Sequence, residues 1–134
     1  KALGLDCDDL REAFRRMVFN VMAVNRDDHT KNFAFTRPEG GAWQLTPAFD
    51  VTHAYRPDSP WNSRHLMSIN GKFDDIALED IYAVGERAEV PGYRKIVRDV
   101  EQAIAEWADY AAAAALDEGV VKAIASDHER FRPR

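Results

Sequence analysis

The sequence is poor in the residues on which several classes of protein depend. Its 134 residues include one cysteine, Cys7, so no disulfide framework can form within the chain, and we expect a reducing compartment, the cytoplasm. No apolar run approaches the roughly 20 residues that span a bilayer, and the first residues lack the pattern of a secretory leader. Acidic residues outnumber basic ones, 23 to 18. The net charge of −5 argues against direct nucleic-acid binding through a basic face.

What is present is an ordinary globular composition. Hydrophobic residues make up 46% of the chain and charged residues 31%, so we expect a buried core rather than a disordered tail. The length predicts a single domain over residues 1–134. Because the first residue is Lys1 and not an initiator methionine, we expect this domain to be a fragment of a longer protein.

Hydrophobic periodicity predicts a mainly helical α+β fold. Apolar residues recur at helical spacing over about 9–24, where Asp9 and Glu12 resemble a capping box. Residues 33–46 have the composition of a β-hairpin, and residues 66–69 that of a further strand. Three more helices are predicted downstream, over about 78–90, 93–115 and 120–131.

A run of eight polar residues separates the first helix from the hairpin and contains residue types suited to phosphoryl transfer. Asp27 and Asn32 lie five positions apart in this run, and Asp50 follows 18 residues after Asn32, beyond the hairpin. Because a hairpin brings its two ends together, we expect the three side chains to converge. Two carboxylates and an amide oxygen form the hard oxygen site that Mg²⁺ prefers. In phosphoryl transfer, one carboxylate orients the attacking hydroxyl while an asparagine and a second carboxylate hold metal against the phosphates.

The same spacing resembles the catalytic loop of the protein-kinase superfamily. There, an aspartate is followed five residues later by an asparagine and then by a metal-binding aspartate. The His-Arg pair and the Asp-Phe-Gly triplet of protein kinases are missing here. The Asp-x-His-x-x-Asn pattern of Asp27, His29 and Asn32 is closer to loops of the phosphatidylinositol-kinase type.

Three motifs in order resemble the C-terminal domain of HipA-type toxin kinases. They are Asn25-x-Asp27-x-His29-x-Lys31-Asn32-Phe33, Gly40-Gly41-x-Trp43-x-Leu45-x-Pro47-Ala48-Phe49-Asp50-Val51 and Met67-Ser68-Ile69-Asn70-Gly71-Lys72. The resemblance covers about residues 8–130, nearly the whole chain. It implies the C-terminal lobe of a protein-kinase-like fold, with a small hairpin beside the catalytic loop.

The resemblance also implies an activity, that of a serine/threonine protein kinase that acts as the toxin of a bacterial toxin–antitoxin pair and uses ATP and Mg²⁺. Asp27 would be the catalytic aspartate, and Asn32 and Asp50 would be Mg²⁺ ligands. The residues along the nucleotide phosphates would be His29, Thr30, Lys31, Asn32, Phe49 and Asp50. Family members bind a small DNA-binding antitoxin and phosphorylate translation factors such as an aminoacyl-tRNA synthetase, so the resemblance implies partners of these classes.

The sequence lacks one part of such a kinase. It has no glycine-rich phosphate loop, and a hairpin turn explains Gly40-Gly41. We therefore expect the N-terminal lobe to lie outside these residues, and this fragment alone to be inactive or nearly so.

Two other functions remain open. A metal-dependent phosphohydrolase would need further His or Asp ligands, and a catalytically incomplete lobe would serve only to dock an antitoxin or another partner. Within the loop, we expect Asp28 to be solvated. His29 either positions the loop or contacts phosphate, and Lys31 either pairs with the γ-phosphate or is solvated.

Overall fold

The computed structural model describes residues 3–134, in which five helices accompany one two-stranded sheet. The helices are α1 Cys7–Met22, α2 Leu78–Arg87, α3 Tyr93–Ala105, α4 Trp107–Ala113 and α5 Glu118–Arg130. The strands are β1 Phe35–Thr36 and β2 Gln44–Leu45, which pair antiparallel. This confirms the mainly helical α+β class. None of the described helices has the length and apolar character needed to cross a membrane.

The first helix carries the apolar stripe that the sequence predicts. Val18 and Val21 lie on one face and are almost completely buried. The helix begins earlier than predicted, because the Asp6 carboxylate accepts hydrogen bonds from the backbone N–H groups of Asp8 and Asp9. The capping box predicted at Asp9 is therefore wrong.

The core lies mainly between α1 and α3. Ile96 and Val97 of α3 are 1% exposed, and Ile81 of α2 is fully buried beside them. Burying an aliphatic side chain of this size contributes about 1.5–3 kcal/mol. These contacts fix the end of α1, from which the polar loop leaves.

The close approach of α2 to Tyr93 requires a glycine at position 85. A Cβ atom on Gly85 would lie 2.7 Å from Cγ of Tyr93, closer than two carbon atoms can pack. A glycine inside a helix costs about 0.5–1 kcal/mol relative to alanine. The fit of the Tyr93 ring against the α2 backbone accounts for its presence there.

The predicted strand over residues 66–69 is not formed. Ile69 makes only an isolated antiparallel bridge with Lys72. The Asn70-Gly71 turn brings these two residues together, and no longer strand continues from it within the described chain. A turn signal with a partly apolar flank was therefore not sufficient to build a sheet.

The predicted long helix over residues 93–115 is broken. Glu106 ends α3 and begins α4. Beyond the break, the indole N–H of Trp107 donates to the carbonyl of Val121 in α5 at 3.1 Å. This contact with a distant part of the chain accompanies the break, although the alanine-rich run has high helix propensity.

Candidate active site

The polar loop begins at a strained turn after α1. Val24 has φ = +56°, a left-handed conformation that β-branched residues rarely adopt. The N–H of Asn25 bonds to the carbonyl of Asn20 at 2.9 Å, as in helix ends where glycine usually occupies the position of Val24. Because the Val24 side chain is only 1% exposed, core packing holds this conformation. The turn directs the chain from the helix into the loop that carries Asp27.

Burial alternates along the next three residues. Arg26 is 3% exposed and Asp28 is 2% exposed, whereas the Asp27 side chain between them is 44% exposed. Alternation of this kind is typical of extended chain, in which successive side chains point to opposite sides. The structure therefore presents Asp27 outward between two inward-facing charged neighbours.

The buried Arg26 guanidinium lies between aromatic rings and oxygen atoms. Its Cζ is 4.9 Å from the ring centroid of Tyr55 and 4.1 Å from that of Phe131. Nη2 bonds to the Asp74 carboxylate at 3.0 Å, and Nη1 donates to the carbonyl of Ser63. Cation–π contacts and charge-assisted bonds compensate for burying this charge. Arg26 thereby ties the loop to the end of α5 and to two other segments.

The prediction that Asp28 is solvated is wrong. Its Oδ2 lies 2.9 Å from Nδ1 of His65, and its Oδ1 accepts bonds from the backbone N–H groups of Leu66 at 2.7 Å and Met67 at 3.3 Å. A carboxylate is stable in the interior only when partners of this kind satisfy it. Sequence analysis missed this residue because its partners lie far along the chain.

Asp27 and Asn32 are joined through the backbone. Nδ2 of Asn32 donates to the backbone carbonyl of Asp27 at 3.0 Å. A single 3-10 turn over residues 30–32 makes this contact possible across the five-residue spacing. Since the amide nitrogen is used in this bond, the amide oxygen of Asn32 is the atom left for a metal ion. Nε2 of His29 lies 4.0 Å from the Asp27 carboxylate, while Thr30 and Lys31 are exposed to solvent.

Asn32 and Asp50 line the same small cavity. Its volume is about 10 Å³, and Phe49 also lines it. A cavity needs about 10–15 Å³ to hold one water molecule, so this one lies at the lower limit for a single atom of that size. Asp50 has φ = +53°, which aspartate tolerates better than most residues. Hence the structure brings the two predicted metal ligands together, whereas Asp27 joins them only through its bond from Asn32.

A comparison with known families gave a match. A family model for the HipA-like C-terminal domain matches residues 2–125. The chain belongs to this family. It is thus a HipA-like, toxin-associated domain of a kinase-related family. Comparisons with curated proteins and with solved structures gave no match.

The two oxygen ligands that this HipA-like domain offers are of the kind that Mg²⁺ prefers. Asn32 and Asp50 offer one amide oxygen and one carboxylate, which are hard oxygen ligands. Within residues 3–134 no group of three or more His, Cys, Asp or Glu side chains is arranged to hold a metal ion. The pair would therefore bind an ion together with oxygens from outside the chain. This is the usual situation for Mg²⁺, which keeps several waters and binds substrate phosphates.

The third motif of the HipA-like domain is held in place by a buried carboxylate. Asp80 accepts bonds from Nζ of Lys72 at 2.7 Å, from Nδ2 of Asn70 at 3.1 Å and from the N–H of Ala77 at 3.0 Å. The bond from Lys72, followed by those from Ala77 and Asn70, lowers the pKa of Asp80 from 3.8 to about 2. Lys72 and Asn70 of the motif therefore stabilise the start of α2 in this structure.

The segment after Asp50 is tied to α5 through two histidines. Nε2 of His53 lies 3.1 Å from the Asp127 carboxylate, and the ring centroids of His53 and His128 are 6.4 Å apart. Burial lowers the pKa of His128 below its usual value of 6.5, and the nearby His53 lowers it further. These two effects outweigh those that raise the pKa of His128, among them the negative charge of Asp127. The α5 helix and Phe131, which follows it, thus contact the chain on both sides of the candidate site, at His53 and at Arg26.

Proposed function

We propose that this domain is the catalytic lobe of an ATP- and Mg²⁺-dependent serine/threonine protein kinase of the toxin type. The observation that carries the proposal is the cavity shared by Asn32 and Asp50, joined to Asp27 by the 3.0 Å bond from Asn32. The bond ties the backbone carbonyl of Asp27, whose carboxylate is the proposed catalytic group, to one of the two proposed metal ligands. Phosphoryl transfer requires this combination, because its catalysis consists mainly of positioning and electrostatic stabilisation.

Each residue of the site has a separate task in the proposed reaction. The half-exposed Asp27 carboxylate orients the serine or threonine hydroxyl and accepts its proton as the oxygen attacks the γ-phosphorus. The bond from this phosphorus to the β,γ-bridging oxygen breaks, and ADP leaves with that oxygen. The amide oxygen of Asn32 and the Asp50 carboxylate hold Mg²⁺, which when bound neutralises charge on the phosphates. The ammonium group of the exposed Lys31 supplies a positive charge beside the nucleotide.

The other residues proposed to line the phosphates lie in the same two loops. We propose that His29, Thr30 and Phe49 border the nucleotide, because they flank Asn32 and Asp50 in sequence. The sequence contains no glycine-rich phosphate loop, so we propose that another domain supplies that part of the nucleotide pocket.

The proposed partners are those implied by the family resemblance. The substrate is a protein of the translation machinery, such as an aminoacyl-tRNA synthetase, and the partner is a small DNA-binding antitoxin. Because the chain carries a net charge of −5, we assign any DNA contact of that complex to the antitoxin. The free, exposed Cys7 suits the reducing cytoplasm, where we place the reaction.

The experiment that tests this function is a phosphate-transfer assay with the full-length gene product. Wild type, Asp27→Ala and Asp50→Asn are each incubated with labelled ATP, Mg²⁺ and a bacterial protein extract. We expect label on serine or threonine with wild type, none with Asp27→Ala, and weakened Mg²⁺-dependent nucleotide binding with Asp50→Asn. Release of inorganic phosphate without labelled protein would support a phosphohydrolase instead, and retained labelling by Asp27→Ala would remove that residue from its role.

A further inference from the structure

We propose that Asp28 is a positioning residue for Asp27, with His65 as its partner. The buried Asp28 carboxylate fixes the loop backbone so that the neighbouring Asp27 carboxylate stays aimed at the acceptor hydroxyl. This inference rests on the proposed kinase function, and it adds to it a residue that touches neither nucleotide nor substrate.

Both oxygens of Asp28 have partners in one separate segment. Oδ2 pairs with Nδ1 of His65, whose side chain is only 4% exposed, and Oδ1 accepts from the N–H groups of Leu66 and Met67. Three partners on two oxygens restrict both rotation of the side chain and displacement of its backbone. Charge-assisted bonds of this kind are roughly twice as strong as neutral ones.

Arg26 restrains the loop on the other side of Asp27. Its guanidinium is held by Asp74, by the carbonyl of Ser63 and by the ring of Phe131. Asp27 lies between these two anchors. Neither of its neighbours in the chain is free to move, because Arg26 and Asp28 are both at least 97% buried. An exposed carboxylate on a surface loop would otherwise sample many positions. The paired anchors therefore explain how a half-exposed Asp27 can be held for catalysis.

The chain offers a matched control in Asp80. Like Asp28, this aspartate is buried and accepts three hydrogen bonds, one from a basic side chain and one from the backbone N–H of Ala77. Its third bond comes from Asn70. None of its partners belongs to the polar loop. Loss of Asp80 should therefore lower stability without moving Asp27.

The test compares Asp28→Ala, Asp28→Asn, His65→Gln and Asp80→Ala in the full-length gene product. For Asp28→Ala we expect kcat for protein phosphorylation to fall about 10- to 100-fold, the effect of a misplaced catalytic group. We expect KM for ATP, and the Kd of Mg²⁺ with a non-hydrolysable ATP analogue, to change less than about threefold, because Asn32 and Asp50 still hold the ion. Asp28→Asn should restore most of kcat, since its amide oxygen still accepts the two backbone bonds. Asp80→Ala should lower Tm but leave kcat of the folded protein unchanged.

The outcomes distinguish the positioning role of Asp28 from the kinase function on which it rests. Unchanged kcat in Asp28→Ala, or an equal loss of kcat in Asp28→Ala and Asp80→Ala, would overturn the positioning role while leaving the kinase function intact. Absence of phosphate transfer by wild type would overturn the function and this inference with it. If Asp28→Ala does not fold, His65→Gln, which removes the imidazole partner of Asp28 Oδ2, takes its place. A fall in kcat at constant KM in that variant then supports the inference, and unchanged kcat contradicts it.

Discussion

The side-chain amide of Asn32 donates a hydrogen bond of 3.0 Å to the backbone carbonyl of Asp27. This bond joins the two residues that the five-residue spacing of the loop separates. The 3-10 turn over residues 30–32 folds the chain back so that Asn32 reaches this carbonyl. The same bond orients the Asn32 oxygen as the candidate ligand beside Asp50.

Replacement of Asn32 should therefore impair two functions at once. In Asn32→Ala, we expect Mg²⁺-dependent nucleotide binding to weaken and kcat to fall about 100-fold or more, because both a metal ligand and the support of the Asp27 carbonyl are lost. Calorimetric titration and initial rates measure the two effects separately. Gln44→Ala, which removes an amide from the exposed β2 strand, is the control and should change neither. An Asn32→Ala protein with normal nucleotide affinity would contradict the assignment of Asn32 as a ligand.

Asp80 should make stability depend on acid pH. Its pKa of about 2 in the folded protein is below the ordinary value of 3.8, so its contribution is present above about pH 4 and is lost as the pH falls from 3.8 toward 2. We expect Asp80→Asn to lower the free energy of unfolding at pH 7 by about 1–3 kcal/mol, since Lys72, Asn70 and the N–H of Ala77 lose a charged acceptor. Urea unfolding at pH 7 and pH 3 measures this difference, which should shrink at the lower pH.

The control for this measurement is Asp99→Asn, which removes an exposed carboxylate paired with Lys95. An exposed ion pair contributes little, so the effect should be smaller than that of Asp80→Asn. An equal loss in the two variants, or a loss in Asp80→Asn that does not change with pH, would contradict the role of the Lys72–Asp80 pair.

His128 should make stability depend on pH closer to neutrality. Because burial and His53 lower its pKa in the folded state, protonation favours the unfolded state, and stability should decrease as the pH falls below 6.5. We expect His128→Gln to show a smaller drop in Tm between pH 7.5 and pH 5.5 than wild type. His29→Gln, which removes a more exposed imidazole, controls for the loss of a histidine as such. Identical pH profiles for wild type and His128→Gln would refute the prediction.

Gly85 is predicted to tolerate no side chain. In Gly85→Ala, the new Cβ would lie 2.7 Å from the Tyr93 ring, and overpacking of this kind costs about 1–3 kcal/mol, more than the helix propensity that alanine adds. Thermal unfolding measures the loss. Combining the change with Tyr93→Leu should recover part of it, because the two positions are coupled. Additive effects in this double-mutant cycle would mean that the contact is not the cause.

Features set by local sequence could be predicted, and those set by distant partners could not. The apolar spacing of α1 and the composition of the hairpin are local signals, and both elements form where they were expected. The burial of Asp28 depends on His65, which lies 37 residues away. The break at Glu106 likewise accompanies the contact of Trp107 with Val121 in another helix. Within the site, residue spacing predicted that Asp27, Asn32 and Asp50 converge. The structure places Asn32 and Asp50 at one cavity and joins Asp27 to them only through its backbone carbonyl.

The most direct test of the central claim is a crystal structure of the full-length gene product with Mg²⁺ and a non-hydrolysable ATP analogue. We expect the ion to bind the amide oxygen of Asn32 and the carboxylate of Asp50 at about 2.0–2.1 Å, with phosphate oxygens completing its shell. The Asp27 carboxylate should face the γ-phosphate across the space for an acceptor hydroxyl. A nucleotide bound elsewhere, or a metal ion that contacts neither Asn32 nor Asp50, would contradict the account.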